Sequence, residues 1–203
     1  MCSKQLLFGL ICFVGLNATA QQTKLFIPVN VQKAIERGMR SIDGKPGSKY
    51  FQNSVDYTIK AQFDPKTGVL LGNETVVLQN NSPDTLKSLV VRLYQNIYKP
   101  EVMRQLPVDP SDIGVAGMTV SRLSIDGVNI PVTDVRFVET NMMVPLPSAL
   151  KPNSSIKMEV DWTTNLPNKT LLRMGRHDST SYFVAYWYPQ VAVYDDISGW
   201  SKE

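Results

Sequence analysis

The sequence predicts an all-β fold, an antiparallel β-sandwich or a saddle-like pair of curved sheets, with one short N-terminal helix. Three observations carry this. Apolar and polar residues alternate with a period of two through much of the chain after Phe51. Turn-forming residues recur about every ten positions, marking about eight or nine short strands. The one helical period lies before Met39.

The chain has 203 residues, enough for one domain with a real core. Its first twenty residues read as an export signal. Lys4 supplies a basic start, Leu6 to Leu16 an apolar run, and Ala18-Thr19-Ala20 a small-x-small cleavage site. That run is too short to span a bilayer, so the mature protein is expected to begin at Gln21, with no membrane span, in the periplasm or outside the cell. Both cysteines, Cys2 and Cys12, fall inside this segment. The mature chain then has no thiol for a disulfide, a metal or a nucleophile. Charge is nearly balanced, with 21 Lys and Arg against 18 Asp and Glu, and no basic cluster points to nucleic acid.

Residues 21–50 form an extension. Val31, Ala34 and Ile35 recur at helical spacing and Gly38 closes the pattern, which predicts a helix over 31–38. Asp43 to Ser48 is a Gly- and Pro-containing loop.

From residue 51 the pattern is β. Val55, Tyr57, Ile59, Ala61 and Phe63 alternate with Asp56, Thr58, Lys60 and Gln62, a strand with one apolar and one wet face. Asp64-Pro65-Lys66-Thr67-Gly68 turns the chain into a strand from Val69 to Gln79. A second turn at Asn80 to Asp84 leads to Leu89–Tyr94, and the three strands are expected to form an antiparallel meander. Pro100 to Gly117, with three Pro, reads as a long irregular connection. Strands resume at Met118–Ile125, and Asp126-Gly127 signals a tight hairpin into Val128–Ile130. Val135–Val138 and Met142–Leu146 follow, then a Pro-rich turn, then Ile156, Met158, Val160 and Trp162 in alternation.

The last segment is unusual. Tyr182 to Trp200 holds two of the three Trp and four of the eight Tyr in the chain. Rings of this kind bury large apolar areas while their polar tips need partners. The stretch is either a core strand with a Pro bend or a half-buried platform beside a cleft or second domain. The loop before it, Leu166 to Asp178, is either a rim contact or a solvated loop.

Several chemistries are missing. One histidine, His177, cannot supply a two-imidazole zinc site, and it sits in a charged loop that predicts exposure. No G-x-S-x-G elbow is present and no Gly-rich phosphate loop follows a strand. Asp195 and Asp196 are adjacent and would point to opposite faces of a strand, so they read as a turn and cap and not as a catalytic pair.

Trp187-Tyr188-Pro189, Ala192-Val193-Tyr194-Asp195-Asp196 and Gly199-Trp200 resemble the W-Y-P, A-V-Y-D and G-W signature of Bacteroidetes-type members of the aminopeptidase N family, the gluzincin zinc aminopeptidases. A looser resemblance runs through Tyr57–Asp64, Gly72–Thr75, Asn80–Leu86 and Leu93–Pro100. It covers most of the chain after Phe51, and it implies the family's N-terminal β domain over residues 51–203. Those enzymes hold zinc through H-E-x-x-H and a further Glu, and the motif's own Glu works on the bound water. This chain has no such motif, so the resemblance implies that it is inactive alone and carries no cofactor. Zinc would belong to the catalytic domain of the same polypeptide, which is its expected partner, with peptide as the substrate of the full enzyme. Residues just before A-V-Y-D approach the cleft in that family, which singles out Tyr186, Trp187 and Tyr188, with Asp195 and Trp200 as cleft or interdomain contacts. Tyr186 stands where those members carry Gln, so a phenol replaces a carboxamide. Aromatics run to Trp200 with only three residues after it, which leads us to expect a chain that stops inside its β domain and exposes an unpaired sheet edge. The alternative is a stand-alone periplasmic or surface sandwich that binds peptide or glycan through Trp187, Tyr188 and Trp200.

Overall fold

The computed structural model describes residues 26–202 except residue 172, so the export signal lies outside the described residues. Helix α1, Val29–Glu36, begins two residues before the predicted start and buries Ala34. Gly38 then turns away at φ +76°, a left-handed conformation that suits glycine.

Among the described residues thirteen strands follow, from two to twelve residues long. β1 (Ser54–Asp64), β2 (Val69–Asn80), β8 (Ser154–Asn165), β4 (Gly117–Ile125) and β5 (Val128–Asn129) form an antiparallel sheet in that order. β11 (Gln190–Val191), β3 (Leu86–Arg92), β7 (Asn141–Leu150) and β6 (Arg136–Val138) form a second one. Two small pairs complete the set, β9 (Met174–Arg176) with β10 (Tyr182–Val184) and β12 (Tyr194–Asp195) with β13 (Gly199–Trp200). Among the described residues the fold is mostly β with antiparallel sheets, one α-helix and no closed barrel, as the alternation predicts. Val76, Leu78, Leu89, Val91, Met142 and Val160 belong to one continuous apolar core drawn from both sheets.

β8 holds its predicted face, and β1 does so in part: Val55, Tyr57, Ile59 and Phe63 are half-buried, but Ala61, expected on the apolar face, is exposed because β1 is the edge strand of its sheet. In β8, Ile156, Met158, Val160 and Trp162 are all buried. The hairpin at Asp126 and Gly127 has φ of +49° and +82°, the two left-handed positions of a type I′ turn. Residues 100–116 are irregular apart from a single 3₁₀ turn at Pro110–Asp112.

Two expectations are corrected. The meander ends after two strands, because β2 takes β8 as its second neighbour and β3 crosses to the other sheet. β3 is apolar on both faces, with Leu89, Val90 and Val91 fully buried, and a strand of that kind is satisfied in the interior of the four-stranded sheet. Asn80 secures the crossing: its Nδ2 donates to the carbonyls of Asp84, Leu150 and Lys151, and its Oδ1 accepts from the Ser82 amide and hydroxyl. The Pro-rich turn after Leu146 also moves. β7 continues through Pro147 to Leu150, and the chain turns at Lys151–Asn153. Its pairing with β6 ends at Met143, so Pro145 and Pro147 lie where β7 has one open edge and a missing N–H is tolerated.

Candidate functional site: an aromatic band over a buried carboxylate

Tyr182–Trp200 is neither of the simple forms. It is a band of four very short strands and tight turns that lies half-buried against both sheets. β11 pairs with β3 at Val91 and Arg92, and the Ala192 amide donates to the Val90 carbonyl at 2.8 Å. On the other sheet, the Tyr57 hydroxyl accepts from the Val191 amide at 3.0 Å, and burial pushes that phenol up to about 12.

The rings divide into separate groups. Trp187 lies 5.9 Å from Trp162 and 5.1 Å from Tyr188, and Tyr188 stands edge-on to Tyr57 at 5.4 Å. Trp200 packs edge-on with Tyr194 at 5.1 Å, and Tyr194 with Phe51 at 6.3 Å. Trp200 Nε1 donates to the Ser88 carbonyl at 3.0 Å and the Tyr194 hydroxyl to Asp84 Oδ2 at 2.9 Å, so both polar tips are spent on the scaffold. Trp187, Tyr188 and Trp200 therefore do not present one exposed stacking face.

Tyr186 is different. It adopts φ +54°, a left-handed conformation costly for a bulky side chain. The buried Gln95 amide donates to its peptide carbonyl. Its ring lies 4.8 Å from Tyr94, and Arg173 Nη1 reaches its hydroxyl at 3.4 Å. With Phe183 it forms an exposed rim to the band, at 38% and 51% exposure.

The two aspartates separate, and only Asp195 takes the expected turn-and-cap role. Asp195 Oδ1 accepts from the amides of Ile197 and Ser198, capping the turn between β12 and β13. Asp196 instead receives Arg40 through Nε and Nη2, both at 2.8 Å, and that guanidinium holds its carboxyl below the usual range. This fork ties the N-terminal extension to the band. Between them, a cavity of about 290 Å³ is lined by Phe51, Asn53, Tyr194, Asp195 and Trp200 among others.

On β2, close to Trp162, lies a group the motif reasoning missed. The inward positions of β2 read Leu70, Gly72, Glu74, Val76 and Leu78, and Glu74 sits fully buried in this apolar row. Neither carboxyl oxygen has a hydrogen-bond partner, and burial pushes its pKa up to about 8. The Trp162 indole opposes that shift, yet its N–H makes no hydrogen bond. Gly72 makes room for this indole: a Cβ there would meet Trp162 Cζ2 at 2.1 Å. The sequence signal was a lone acid in phase with an apolar face.

His177 is exposed in the loop between β9 and β10. Among the described residues no three His, Cys, Asp or Glu side chains gather where a metal ion could be held, and no helix is long and apolar enough to cross a membrane.

No family model matches the chain, and no curated protein matches it. Among solved structures, it is similar to an M1 zinc metallopeptidase from Deinococcus radiodurans, at 14% identity and TM-score 0.40 over 60% of this chain and 22% of that one. A mutant of the M1 enzyme from the same organism, bound to a Tyr-Ser-Ala substrate, matches at 14% identity and TM-score 0.39, over 57% and 21% of the two chains. A two-domain M1 zinc metallopeptidase mutant bound to L-arginine matches at 17% and 0.38, over 63% and 24%. The chain spans less than a quarter of the length of these structures.

Proposed function

We propose that this chain serves as the non-catalytic N-terminal β domain of an exported zinc-dependent aminopeptidase of the aminopeptidase N type, an enzyme that removes N-terminal residues from peptides. One observation carries the reading: the W-Y-P, A-V-Y-D and G-W segments fold into a single band bonded to both sheets, with Tyr186 and Phe183 left at its exposed rim. A rim of aromatic side chains held by a rigid scaffold suits the wall of a cleft that a catalytic domain of the same polypeptide completes.

The zinc of such an enzyme does not fit the residues of this chain, whose single imidazole is exposed and whose described acids do not converge. In this reading no residue here performs the chemical step. Tyr186 contributes position: its backbone is pinned by Gln95, and its hydroxyl and the Arg173 guanidinium present polar groups at the rim.

The test combines gene and protein. The reading frame after the Glu203 codon is expected to encode further strands and then His-Glu-x-x-His, and the native protein recognised by antibodies to this chain is expected to release N-terminal residues from peptides in a chelator-sensitive way. The chain by itself is expected to release none. A stop codon after Glu203 together with saturable glycan or peptide binding lost in Trp187→Ala would overturn the reading in favour of a stand-alone binding module. Export is checked separately by the N-terminal residue of the secreted protein, expected at Gln21.

A further inference from the structure

Most open sheet edges of this molecule carry a recognisable guard against pairing with another chain. The exposed side of β7 beyond Met143 carries Pro145 and Pro147. β4 is open before Ser124, but its ladder with β8 shifts register between Val120 and Arg122, and such a bulge twists an edge away from partners. β5, β6 and β11 are two or three residues long.

Among the described residues β1 is the exception. It ends the five-stranded sheet, and its pairing with β2 runs one-to-one over all eleven residues from Ser54 to Asp64 with no register shift. It contains neither Pro nor Gly. Outside this ladder, no backbone group of Val55–Phe63 makes a hydrogen bond among the described residues. The outward amides and carbonyls therefore form an unbroken row. The inward side chains Val55, Tyr57, Ile59 and Phe63 are only half-buried, so a further strand would cover them more fully.

We propose that β1 is the dimerisation edge of this protein, pairing antiparallel with β1 of a second copy about a two-fold axis at Thr58. The charges on the wet face choose both the partner and the register. An isologous pairing that keeps both apolar faces on the same side must place a residue opposite itself. Centred on Lys60, it would set Lys60 against Lys60 and Asp56 against Asp64, two kinds of like-charge contact. Centred on Thr58, it sets Asp56 of each copy opposite Lys60 of the other, so that two opposite-charge pairs form by symmetry. Ser54 to Gln62 then pair completely, and on the apolar face Tyr57 meets Ile59. The product is a continuous sheet of ten strands. It is independent of any catalytic partner and of the reading of the aromatic band.

The experiment is light scattering behind size exclusion across a dilution series of the full chain, with Asp56→Lys, Lys60→Asp and the double variant Asp56→Lys/Lys60→Asp. Both positions are exposed, and circular dichroism verifies that each variant folds. The wild type is expected to be dimeric, each single exchange to weaken dimerisation about tenfold as attraction becomes repulsion at two symmetric places, and the double exchange to restore it. A wild type that stays monomeric overturns the proposal. So does a dimer indifferent to the single exchanges, which would use another surface, or a loss that the double exchange fails to rescue.

Discussion

Replacing Glu74 by Gln should convert a pH-sensitive domain into a less sensitive one, and the sign follows from where the proton sits. Glu74 is fully buried on the inward face of β2 with no hydrogen-bond partner, and burial raises its pKa from 4.5 to about 8. Between those values the folded chain keeps a proton that the unfolded chain has released, so stability falls as pH rises. The favourable contribution is fully present below about pH 4.5 and is lost as pH climbs through about 8. At about 1.4 kcal/mol per pH unit, that interval sets an upper bound of about 5 kcal/mol. Relaxation and water penetration reduce the penalty of burying a charge, so a measured loss of about 2–4 kcal/mol is expected. That is a large part of the stability of an ordinary domain. Gln has nearly the same shape and no charge to expose. Urea unfolding followed by Trp fluorescence, repeated from pH 5 to pH 8.5, isolates the effect, because the other titrations are common to both proteins and cancel in the difference. The two proteins should be similar near pH 5, and Glu74→Gln should be the more stable by several kcal/mol at pH 8.5. Parallel curves over the whole range, or a variant that is weaker at pH 8.5, would refute the reasoning.

Other perturbations test the scaffold around the band. Gly72→Ala would drive a methyl into the Trp162 ring, where the nearest atom would lie at 2.1 Å, and overpacking of this kind costs about 1–3 kcal/mol or more in a urea melt. Asn80→Ala strips partners from the carbonyls of Asp84, Leu150 and Lys151 at the crossing between sheets, for an expected loss of about 2–4 kcal/mol. Arg40→Ala removes the fork to Asp196. Because Arg40 is partly exposed, global stability should drop by less than about 1 kcal/mol, while limited proteolysis should cut residues 40–50 faster. The Asp196 carboxyl sits below its ordinary range through Arg40, so this contribution is present above about pH 4 and fades as pH falls, and Arg40→Ala should flatten the acid limb of the stability curve.

Period-two alternation was enough to place β1 and β8 and, Ala61 apart, to say which side chains face inward, because a strand in a two-layer fold shows its environment directly in its sequence. Asp126-Gly127 specified its hairpin because its pair of left-handed positions favours Asp and Gly, while Gly38 stopped the helix through the same freedom. The adjacency of Asp195 and Asp196 argued against a catalytic pair and read both as a turn and cap, which holds for Asp195, whereas Asp196 pairs with Arg40, invisible from 156 residues away. The aromatic density of Tyr182–Trp200 marked the band without telling which rings would meet.

What local pattern could not settle was decided by packing at long range. β3 follows β2 closely in sequence, yet its two apolar faces are satisfied only inside the other sheet, and the deciding contacts come from β7 and β11. The prolines of β7 looked like a turn until β6 proved too short to reach them. Tyr186 takes its left-handed backbone with Gln95, far away in the chain, as its anchor, and no neighbouring residue announces it. Glu74 was missed in the sequence, and its lack of a partner depends on Trp162 and on what covers β2. The sequence alone determined the class of fold, the faces of its long strands and the residues of the aromatic band. Which sheet each strand joins, which rings touch and which charge is stranded in the core were settled by the tertiary structure, because those depend on contacts between segments that the chain brings together only when it folds.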